Sequence, residues 1–85
     1  MKRLLLTCVL MATATGAWAQ DCVVNDPTGT PLNVRAEPNG QILGALHNGA
    51  MVRIVETTAD GRWAYIEPVD AGQRGWVFRQ FLVCQ

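Results

Sequence analysis

One histidine, three cysteines, no serine and a small set of aromatics carry whatever chemistry this 85-residue sequence performs. His47 serves as a general base only beside a nucleophile and an orienting carboxylate. It adjoins Asn48-Gly49, a turn dipeptide, where a solvated imidazole is the ordinary outcome. Without serine no Ser-His-Asp set can form. Glu67 and Asp70 flank Pro68 in a polar stretch, and nothing in the sequence gives them a shared pocket. Cys-x-x-Cys and His-x-x-His spacings are both missing, so no metal site is expected. These residue types point away from an enzyme, and no cofactor is expected. What remains is a set of aromatic and charged side chains suited to binding.

The elements that hold them begin after an N-terminal segment of another kind. Lys2 and Arg3 precede an apolar run from Leu4 to Ala12, followed by Ala17-Trp18-Ala19, an A-x-A cleavage pattern. That order describes a secretory signal peptide over residues 1–19. The apolar run is about half the roughly 20 residues a membrane helix needs. Cys22 follows Asp21 without the small residues of a lipobox, which argues against a lipoprotein. The expected product is exported, periplasmic or secreted, begins at Gln20 and keeps no stable membrane anchor.

After cleavage, seven carboxylates against five arginines leave a net charge of −2, with no lysine. Phosphate neutralisation wants clustered cations, so no nucleic acid is expected as a partner. Cys8 leaves with the signal peptide. Cys22 and Cys84 remain in an oxidising compartment, where they are expected to form a disulfide. That bridge would bring the two ends of the mature chain together.

Residues 20–31 read as a leader rich in turn residues, with Pro27 and Pro31. From residue 32 to 85 apolar residues recur with period two in short runs. The runs are Leu32–Arg35, Ile42–Leu46, Met51–Thr57, Trp63–Glu67 and Gly75–Phe78, with Phe81–Val83 closing the chain. Asn39-Gly40, Asn48-Gly49 and Asp60-Gly61 separate them as turns. No helical periodicity persists over three turns. The expectation is an all-β fold, a small five-stranded barrel forming one domain.

Leu32-Asn33-Val34-Arg35-Ala36-Glu37-Pro38 resembles the LNVRxxP opening of the bacterial SH3 (SH3b) family. Gly44 with the Leu46–Gly49 hairpin, Met51–Val55, Gly61–Ile66 and Gly75-Trp76-Val77…Phe81-Leu82 are similar to its later segments, in order. Two departures stand out: the Pro68–Arg74 loop is longer than the family's turn, and Phe81 replaces a common tyrosine. The resemblance implies an SH3-like barrel whose first and last strands meet. It also implies a binding module for a peptide, a cell-wall component or an envelope protein. The alternative is an interaction protein, an inhibitor or assembly subunit, with one dedicated protein partner.

Alternation along each strand places Ala64, Ile66 and Val77 inside and Trp63, Tyr65 and Trp76 wholly or partly outside. The three aromatics either contact a ligand or cap the barrel end. Arg35 and Glu37 either border the same patch or form a surface ion pair.

Overall fold

Valine, isoleucine and threonine crowd the segment Met51–Thr57, and β-branched side chains favour a pleated, half-buried surface. It forms the longest strand, β4. The computed structural model describes residues 20–84, so the expected signal peptide lies outside the described residues. Around β4 stand β1 (Gln20–Val24), β2 (Leu32–Arg35), β3 (Ile42–Leu46), β5 (Trp63–Pro68), β6 (Gly75–Phe78) and β7 (Leu82–Cys84). A 3-10 turn at Arg79–Phe81 links β6 to β7.

All strand pairs are antiparallel, in one sheet of order β3-β2-β6-β5-β4-β1-β7. The all-β, SH3-like expectation holds, with two corrections. There are seven strands rather than five, and the sheet is not closed. The added strands are β1, inside the expected leader, and β7. In β1, Cys22 and Val24 point inward and are buried, the same alternation seen elsewhere. β7 is three residues long and registered against β1 alone, which leaves β3 and β7 as edges.

The core follows the alternation. Val34, Val52, Ala64, Ile66 and Val77 are wholly buried, with Leu32, Leu46, Ile54 and Leu82 around them. Each large aliphatic side chain so buried contributes about 1.5–3 kcal/mol. Gly75 allows β6 to lie close to β2, since a Cβ there would stand 2.6 Å from the Arg35 carbonyl oxygen.

Two irregularities set which residues face out. The β4–β5 register shifts between Ile54 and Glu56, so Glu56, not Val55, stands opposite Tyr65. A similar shift in the β2–β3 pair lets Ile42 face Arg35. In the loop after β1, the backbone N–H of Asp26 donates to the Asn48 side-chain oxygen at 2.6 Å. The Asn48 amide returns a bond to the Asp26 carbonyl at 3.1 Å. That exchange ties the loop to the β3–β4 turn. Cys22 and Cys84 stand opposite each other in the β1–β7 register and are joined by a disulfide, with Cα atoms 4.1 Å apart.

Candidate binding surface

Residues opposite one another on neighbouring strands share a face. The registers therefore align Ile42, Arg35, Trp76, Tyr65 and Glu56 in one row across β3, β2, β6, β5 and β4, on the side away from the core. Tyr65 and Trp76 meet edge to face, ring centroids 5.5 Å apart, and both are half-buried. Such a pair adds about 0.5–1.5 kcal/mol beyond its buried area and fixes both rings. Within the row the ring pair is flanked by opposite charges, Arg35 beside Trp76 and Glu56 beside Tyr65.

Trp63 departs from expectation. It faces outward by register, opposite Phe78, but is only 7% exposed. The Phe78 ring stacks on it at 4.1 Å, and Phe81 meets Phe78 edge to face at 6.1 Å. Trp63 is thus covered by the Phe78 ring rather than open on the outer face. The reason is the cross-strand partner: a large flat ring opposite another covers it, where a small residue would not. Phe78 half-exposes its own ring beside Trp76, two positions along β6, which is about 7 Å in a strand.

The charged candidates divide. Arg35 is half-buried, and its Nη1 donates to the Gly40 carbonyl at 2.8 Å, which holds the guanidinium beside the row. Glu37 is exposed at the start of a tight turn in which the Gly40 N–H donates to the Glu37 carbonyl at 2.8 Å. Asn39 takes φ 59° there, a position where Asn is among the few side chains that fit. No Arg35–Glu37 ion pair forms. The ion pairs among the described residues are Arg53–Asp21 at 3.2 Å and Arg74–Glu67 at 3.5 Å, both at the surface. His47 is exposed.

A cleft of about 530 Å³ lies at one end of the sheet, with Gln20, Ile54, Glu56, Thr57, Ala59 and Arg79 in its lining, and so meets the row at Glu56. No aromatic side chain lines it. The Tyr65–Trp76 row offers the flat rings and flanking charges that an extended chain can lie against. Alternation along β6 puts Phe78 on the Trp76 face, whereas it does not put Glu56 beside Tyr65. The bulge at Val55 hides Glu56, since an uninterrupted strand would put Val55 opposite Tyr65.

A family model described as a bacterial SH3 domain matches residues 30–83. No curated protein and no solved structure matches the chain.

Proposed function

Since the chain belongs to the bacterial SH3 domain family, a family of binding modules, we propose that it is an exported recognition domain acting through the outer face of β5 and β6. The ligand is an extended peptide, either a cell-wall peptide or a segment of an envelope protein. It lies across Tyr65 and Trp76, with Arg35 and Glu37 at the rim and Trp63 stacked under the neighbouring Phe78 ring. The observation that carries this reading is the half-buried, edge-to-face Tyr65–Trp76 pair, flanked in its row by the opposite charges of Arg35 and Glu56. Export is supported by the order of basic, apolar and small residues in the first 19 positions.

On this reading the domain acts by binding, as its family does. A second reading, a single dedicated protein partner, has its own support at the open edge. There β3 leaves Ile42 and Leu43 50% and 44% exposed, with no charged residue in the strand.

Retention on purified cell-wall sacculi, and separately on an envelope protein extract, tests the proposal. Trp76→Ala is expected to lose retention and His47→Ala to keep it. Full retention of Trp76→Ala on both supports would overturn the aromatic surface. Capture only from the protein extract, by a single partner, would favour the second reading.

A further inference from the structure

Five arginines fall within the described residues, and three of them spend their guanidinium inside the chain. Arg53 pairs with Asp21, Arg74 with Glu67, and Arg35 donates to a backbone carbonyl. Arg62 and Arg79 do neither. Both are exposed, and both line a cleft of about 210 Å³ whose wall also includes the half-buried Phe78. Their backbones are tied by the Arg79 N–H donating to the Arg62 carbonyl at 2.9 Å, so the two side chains start from adjoining points.

From this we infer that the cleft between Arg62 and Arg79 is a subsite for a carboxylate next to an apolar group on a peptide ligand. The inference rests on the proposed aromatic surface, which it extends by two positions along β6 from Trp76 to Phe78. A guanidinium presents a planar fork of donors that matches a carboxylate with two parallel bonds. Phe78, stacked on the buried Trp63, gives a fixed ring for the neighbouring apolar group.

The local charge favours a monoanion. Asp60 adjoins Arg62 through the turn, and its carboxylate stays ionised because the Thr58 hydroxyl and the Arg62 N–H donate to it at 2.6 and 3.0 Å. Two cations beside one fixed anion leave about one positive charge to be matched, which suits a carboxylate better than a phosphate dianion.

Titration of the oxidised protein in nitrogen-correlated NMR tests this with three probes. They are acetylated leucyl-alanine with a free carboxylate, the same dipeptide as its amide, and an acetylated phosphoserine amide. The free acid is expected to shift the Arg62 and Arg79 side-chain N–H signals and the Phe78 amide, with the other two probes weak. Arg79→Gln is expected to weaken the acid by about tenfold, as loss of a charged hydrogen bond does. Equal shifts from the amide, stronger binding of the phosphoserine probe, an Arg79→Gln variant that binds as before, or no shifts at all would each overturn the subsite. A Trp76 indole shift with Arg62 and Arg79 unmoved would sink the subsite while leaving the aromatic surface standing.

Discussion

Asp26 shows how much one side chain settles locally. Its carboxylate accepts the Thr28 hydroxyl at 2.6 Å and the Thr28 N–H at 2.9 Å, with the Thr30 hydroxyl at 3.3 Å. The Thr28 hydroxyl, then the Thr28 amide, hold its carboxyl below the ordinary 3.8, and burial opposes them more weakly. A carboxyl whose folded value is depressed stabilises the fold above its unfolded value and loses that contribution as pH falls through the folded one. Asp26→Asn is therefore expected to melt below wild type at neutral pH, with the gap closing as pH drops below about 4. A gap that stays constant from neutral to strongly acidic solution would contradict the assignment. Little of this could be read in advance. Asp26 sits in a stretch whose prolines and glycine announce a loop, and only the fold shows which donors face it. The aromatics were more legible: alternation put Tyr65 and Trp76 outward. It could not show that Phe78 would cover Trp63, because that depends on register between strands rather than on either strand alone.

At the level of elements, the period-two runs from Leu32 to Phe78 became β2 to β6, since inward valines and isoleucines impose a face on each strand. β1 was hidden because a five-residue strand followed by Pro27, Gly29 and Pro31 reads as part of the loop. The Asn48-Gly49 dipeptide was legible as a turn, and Gly49 indeed takes φ 92°. Its second role was not legible, because Asp26 lies 22 positions away. The Asn48 side chain there replaces a strand neighbour, pairing with both the N–H and the C=O of Asp26. Asn48→Ala leaves those backbone groups without their partner and is expected to cost about 1–3 kcal/mol in chemical denaturation. A loss of a few tenths would mean that the turn holds the loop without this side chain.

At the scale of the whole molecule, the sheet has two free edges and a small core, so the tie between β1 and β7 matters. A domain of this size buries too small a fraction of its surface to be comfortably stable. The Cys22–Cys84 bridge spans a sequence separation of 62, for which loop closure in the unfolded chain corresponds to about 4 kcal/mol. Reduction is expected to lower the melting temperature sharply, and an unchanged melting curve would contradict that role. This staple was the most legible long-range feature, since removal of the expected signal peptide leaves two cysteines with one way to pair.

The aromatic row across β2, β6, β5 and β4 is the claim on which the functional account stands, and the two described tryptophans report on it separately. Adding solubilised cell-wall fragments, or the partner retained from envelope extract, while following the indole N–H signals tests it directly. The account predicts a saturable shift of Trp76 with Trp63 nearly still. A shift centred on the cleft residues Gln20, Ile54 and Thr57 to Ala59, with Trp76 unmoved, would contradict it.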